Sequence, residues 1–140
     1  MKKQFTCVDL FSGAGGLSRG FYDAGYNVVL GVDFDDAALQ TFKANHGNAE
    51  AMKLDLFDHN NINVIVDFLK EKNIELDVLV GGPPCQGFSI AGPRDMNDKR
   101  NTLYLAMVKL AATLKPQAVV LENVPGMLQT NGGIGAKRII

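Results

Sequence analysis

The sequence predicts an α/β fold built on a mostly parallel sheet, and three observations predict it. Strand-like apolar runs alternate with stretches of helical periodicity along the 140 residues. The first run breaks into a glycine-rich turn, Ser12-Gly13-Ala14-Gly15-Gly16, before helical spacing begins. Asp33 closes the second run 20 positions after Gly13, where a Rossmann-like, doubly wound sheet keeps a carboxylate for ribose hydroxyls.

The elements follow in order. The first strand is expected from Phe5 to Phe11, and the helix after its turn carries Leu17, Phe21 and Ala24 on one face. The second strand is expected from Asn27 to Asp33. Asp35 and Asp36 suit the start of the next helix, where carboxylates meet free backbone N–H groups. A third strand is expected from Ala49 to Leu54, and Ile62, Ile65, Val66 and Leu69 then follow the i, i+3, i+4, i+7 spacing of a core-facing helix. The fourth strand, Leu76 to Val80, runs into Gly81-Gly82-Pro83-Pro84-Cys85-Gln86-Gly87-Phe88-Ser89. Ser89 to Arg100 is a long polar connection of the kind that serves as a lid. Leu103, Met107, Leu110, Ala111 and Leu114 form the stripe of a fourth helix, and Ala118 to Leu121 reads as a buried strand that ends at Glu122.

The Pro-Pro-Cys turn is the most informative stretch. Each proline fixes its own φ near −65° and restricts the residue before it, so the backbone leading to Cys85 has few conformations open to it. A thiol displayed there reads as a nucleophile. In open α/β sheets ligands gather beyond the carboxyl ends of the strands, where Phe11, Asp33, Cys85 and Glu122 all emerge. The Gly-turn and Asp33 pair alone would also suit an NAD-dependent oxidoreductase, but Ser18 stands where a dinucleotide fingerprint takes Gly or Ala. Zinc-dependent deamination is disfavoured, because Cys85 lacks the second cysteine of Pro-Cys-x-x-Cys and no His-x-Glu is present.

Three segments, Asp9 to Gly16, Gly82 to Ser89 and Glu122 to Val124, together with Asp98-Lys99-Arg100-Asn101, resemble the cytosine-5 DNA methyltransferase family in order and spacing. The resemblance implies the S-adenosylmethionine-dependent methyltransferase fold, here truncated, and transfer of a methyl group to carbon 5 of a flipped-out cytosine in DNA. It implies Cys85 and Glu122 as catalytic residues. It assigns Phe11, Gly13, Gly15, Asp33, Phe34 and Asp55 to S-adenosylmethionine, with Asp33 on the ribose, Phe34 against the adenine and Asp55 accepting from the adenine amino group. Ser89 and Arg100 are implied as substrate contacts, Arg100 to phosphate, with Asn101 and Leu103 supporting the following helix. The later Gln-x-Arg-type motif, the target-recognition region and the final cofactor-pocket helix of the family are not found in this sequence. A truncated chain, or one partner of a split enzyme completed by a second polypeptide, is therefore expected to be weakly active alone. A non-catalytic remnant and a transfer RNA cytosine-5 methyltransferase are the alternatives.

Composition bounds these readings. The 140 residues are expected to form one partial catalytic and cofactor-binding domain, and 46% hydrophobic with 21% charged residues is ordinary for a soluble protein. No apolar run approaches the roughly 18 residues of a membrane span, and the Met1-Lys2-Lys3 start lacks a signal core, so a cytoplasmic location is expected. Two cysteines offer no disulfide framework, and Cys7 is expected in the core. His46 and His59 have no ligand cluster around them, so no metal is expected. A net charge of −1 is low for a chain carrying a whole DNA-binding surface.

Overall fold

The computed structural model describes residues 3–84 and 99–126. Five parallel strands, β1 (Thr6–Leu10), β2 (Asn27–Asp33), β3 (Glu50–Lys53), β4 (Val78–Gly81) and β5 (Ala118–Leu121), lie in the order β3-β2-β1-β4-β5. Between them run α1 (Gly16–Asp23), α2 (Asp36–Asn45), α3 (Asn61–Glu71) and α4 (Tyr104–Leu114), the last preceded by a 3-10 turn over Lys99–Thr102. The chain winds outward from β1 in one direction and then resumes on its other side at β4. That reversal opens a crevice at the carboxyl ends of the central strands.

Two apolar clusters hold the helices to opposite faces. On one face Val8, Leu10, Leu30 and Leu79 meet Ile62, Ile65, Val66 and Leu69 of α3 and Met107 and Leu110 of α4, as the helical stripes predict. On the other, Cys7, Val28, Val78 and Val80 meet Phe42 of α2, with Leu17 and Phe21 of α1 packed alongside. Cys7 is fully buried, and burial, followed by the nearby Asp9 charge, pushes its thiol up to about 12. It is an inert packing group.

Local signals fix where the helices start. Asp35 caps α2, its Oδ1 accepting from the N–H groups of Ala37 at 2.8 Å and Ala38 at 3.3 Å. Gly15 precedes α1 at φ +89°, and a β-carbon there would lie 2.6 Å from the His46 ring. Only glycine fits that close a turn.

Two differences from the sequence reading stand out. The strands are shorter at their ends: β1 stops at Leu10 and β3 at Lys53, because Phe11 turns to a φ of +59° and Asp55 opens a new turn. β5 has the expected limits but not the expected burial. Val119 is 47% and Val120 37% exposed, since among the described residues β4 is its one strand neighbour.

Candidate active site

A largely apolar cavity of about 590 Å³ opens at the carboxyl ends of the strands. Its floor is made by Phe11, Leu54, Leu56 and Leu103, and its rim by Phe34, Phe57, Asp33 and Asp55. Gly82, Pro84 and Arg100 close the side toward β4. The size falls within the few-hundred to thousand Å³ range of small-molecule sites.

Asp33 organises the entrance. Its Oδ2 accepts the Gly13 N–H at 2.8 Å and its Oδ1 the Asp35 N–H at 3.0 Å. Its carbonyl accepts from Leu54 N–H, and Val32 accepts from Ser12 N–H, both at 3.0 Å. One carboxylate thus fixes the glycine turn, and each oxygen keeps a lone-pair direction for a further donor. Phe11 holds a left-handed backbone, which costs a non-glycine residue about 1–2 kcal/mol, and it lines the cavity. Asp55 is exposed, its Oδ1 taken by the Phe57 N–H at 2.9 Å.

The expected residues separate into four groups. Phe11, Asp33, Phe34, Asp55 and Arg100 line one cavity. Gly13 and Gly15 do not line it; Gly13 is tied to Asp33, and Gly15 turns the chain into α1. Glu122 stands next door: its backbone N–H donates to the Gly81 carbonyl at 2.9 Å, and a β-carbon on Gly82 would lie 3.0 Å from its Oε2. Cys85 and Ser89 lie outside the described residues, which reach Pro84.

Sequence reasoning missed Leu54, Leu56 and Phe57 as lining residues, although their position around Asp55 at a strand end was a usable signal. It also missed Asp9, in β1. Asp9 is 1% exposed, and neither carboxylate oxygen has a hydrogen bond of good geometry. Burial pushes its carboxyl up to about 6; the Ser18 hydroxyl and N–H pull it back, and the Asp33 charge pushes it further up. Buried His46 backs the glycine turn, with Nδ1 3.1 Å from the Phe42 carbonyl and its ring stacked on Phe42. Among the described residues no group of three or more His, Cys, Asp or Glu is placed to hold a metal. None of the described helices is long and apolar enough to cross a membrane.

The family model of C-5 cytosine-specific DNA methylase matches residues 5–140. This chain belongs to that family. Among the relatives of this chain, the type II methyltransferase M.DdeI of Desulfomicrobium norvegicum is 39% identical over 123 residues, covering 86% of this chain and 28% of its own length. M.AgeI of Thalassovita gelatinovora is 40% identical over 126 residues, covering 90% of this chain and 29% of its own. M.AquIA of Picosynechococcus is 34% identical and covers 95% and 54%. The chain therefore spans between about a quarter and a half of the length of these relatives. Its fold superposes with a TM-score of 0.78 and 31% identity on a crystal structure described as a DNA modification methyltransferase of an E. coli prophage, over 97% of this chain and 36% of that one. A short-chain dehydrogenase from Streptomyces avermitilis, 24% identical with a TM-score of 0.61 over 88% of this chain and 49% of that one, shares the fold alone.

Proposed function

We propose that this chain carries the cofactor-binding and catalytic portion of a DNA cytosine-5 methyltransferase. The observation that carries the reading is a convergence at one end of the sheet. Phe11, Asp33, Phe34 and Asp55 share a cavity with Pro84, the residue before Cys85, and Glu122 lies against Gly82 on the same side.

S-adenosylmethionine fits this donor set. Asp33 can accept from ribose hydroxyls, Asp55 has an oxygen left for an adenine amino group, and the apolar floor and Phe34 suit the purine. When bound, it supplies an electrophilic methyl group for carbon 5.

The chain's own residues make carbon 5 reactive. The Cys85 thiolate forms a bond to carbon 6 of cytosine, and the ring electrons then reside on carbon 5 as an enamine. Glu122, in its protonated form, gives its proton to ring nitrogen 3 as the thiolate adds, and the carboxylate left behind accepts from that N–H and from the exocyclic amine. After methylation the carbon 5 proton passes to water, its bonding pair restores the carbon 5–carbon 6 double bond, the sulfur–carbon 6 pair returns to Cys85 as thiolate, and Glu122 takes back the nitrogen 3 proton. The target base must first leave the duplex, at a cost of a few kcal/mol. Arg100 and Ser89 are assigned to the nucleic acid. The relatives are longer than this chain, and base-edge reading is assigned to that additional sequence, in a continuation or a second polypeptide.

The test uses labelled S-adenosylmethionine and DNA containing 5-fluorocytosine, with the chain alone and completed by a relative's carboxyl-terminal portion. A covalent adduct that Cys85→Ser abolishes is expected. No adduct in either pairing, or one that survives Cys85→Ser, refutes the proposal.

A further inference from the structure

Gly81 and Gly82 are adjacent glycines that lack a side chain for different reasons. A β-carbon on Gly81 would lie 2.6 Å from the Leu10 carbonyl oxygen and 2.7 Å from Met107 Sδ, so the packing of β4 excludes it. On Gly82 it would lie 3.0 Å from Glu122 Oε2 and 3.8 Å from Glu122 Cβ. Among the described residues, its chain neighbours aside, nothing else comes within 4 Å of that position. Backbone conformation does not demand this glycine either. The positive-φ glycines of the described chain are Gly13, Gly15 and Gly25, and Gly82, which precedes Pro83, is steered toward the extended region that alanine also adopts. Among the described residues, the group that needs its missing side chain is the Glu122 carboxylate.

We infer that Gly82 is a positioning residue for Glu122, an inference that rests on the function proposed above. The backbone of Glu122 is pinned, because its N–H donates to the Gly81 carbonyl at 2.9 Å and Leu121 before it pairs with Gly81 in the parallel register of β4 and β5. Strand movement therefore cannot make room for a methyl group. The Glu122 side chain has to give way by a few tenths of an ångström instead. Gly82 also lines the cavity assigned to the methyl donor, so a residue without bulk separates that cavity from the acid that protonates ring nitrogen 3. A side chain here would move the proton donor off the line to the nitrogen that receives it, and catalysis is steeply sensitive to such displacements.

The test compares Gly82→Ala with the parent in three measurements. Ligand-free thermal unfolding and S-adenosylhomocysteine binding are read on the 140-residue chain. The single-turnover rate of 5-fluorocytosine adduct formation, at saturating DNA and S-adenosylmethionine, is read on the chain completed by a relative's carboxyl-terminal portion. Gly82→Ala should slow the adduct about tenfold while leaving affinity within about twofold and the unfolding temperature no lower. Gly81→Ala should lower the unfolding temperature, as overpacking predicts. In a Glu122→Asp background, whose acid ends one carbon short of the added methyl, Gly82→Ala should change the adduct rate by less than about twofold. An unchanged rate in Gly82→Ala, with the parent active, overturns the inference and leaves the proposed function standing. A loss that comes with a lowered unfolding temperature or weakened S-adenosylhomocysteine, or that keeps the same factor in Glu122→Asp, assigns Gly82 another role and also overturns it. A parent that forms no adduct removes the proposed function, and this inference with it.

Discussion

Two buried carboxylates at opposite ends of the same sheet are treated in opposite ways. Asp77, just before β4, is 1% exposed and fully engaged: it accepts from the Thr6 N–H at 2.9 Å, from Lys3 Nζ at 2.9 Å and from Gln117 Nε2 at 2.7 Å. Its carbonyl takes the N–H groups of Gln117 and Ala118, so the entries to β1, β4 and β5 are tied at one residue. Asp9, toward the carboxyl end of β1, is equally buried and has no such partners. The amino end of the sheet is built to hold together, and the carboxyl half of β1 keeps unmet polar capacity. An unsatisfied buried carboxylate is costly to ionise, whereas a satisfied one becomes a staple.

The comparison breaks most visibly at the staple. Asp77→Ala should cost about 3 kcal/mol in urea unfolding, the upper end for leaving hydrogen-bond donors without their acceptor. The two carboxylates also set opposite pH slopes. The bond from the Thr6 N–H, then Lys3, holds Asp77 below the usual carboxylate range. Its stabilisation is therefore present above the unfolded-state value near 4 and is lost as pH falls below it.

Asp9, pushed up to about 6, binds its proton more tightly in the folded chain. Its contribution is complete below about pH 4 and disappears as pH rises through about 6, an expected loss of about 3 kcal/mol. Asp9→Asn should flatten the unfolding profile between about pH 4 and 6 and leave the acid limb of Asp77 in place. An unaltered slope in that variant would mean that Asp9 is not the group being titrated.

Smaller effects sharpen the contrast. Gly15→Ala forces a side chain into φ +89° and against His46, and about 2 kcal/mol of lost stability is expected in thermal or urea unfolding. Asp33→Asn should cost only about 1 kcal/mol of stability while weakening S-adenosylhomocysteine about tenfold in calorimetry. A purely structural Asp33 would lose stability and leave affinity alone.

Much of the fold was legible because alternating apolar runs and helical stripes report which faces must be covered. The Asp33 position was legible too, since spacing from a glycine turn is a local property. Its bond to Gly13 was not, because that depends on β1 and β2 lying side by side. Asp9 was hidden inside an apolar run, where sequence gives no hint whether a polar partner waits across the fold. Phe57 was passed over because a lone aromatic after a strand reads as packing. The exposure of Val119 and Val120 shows the limit of the same logic: apolarity says that a residue suits being covered, not that the described part of the chain covers it.

Because the Gly13 amide proton rests on the same carboxylate assigned to the sugar, its NMR resonance is an internal gauge of cavity occupancy. A ligand drawing density from Asp33 would lengthen that bond and move the peak upfield, giving a label-free titration signal from the backbone of the glycine turn.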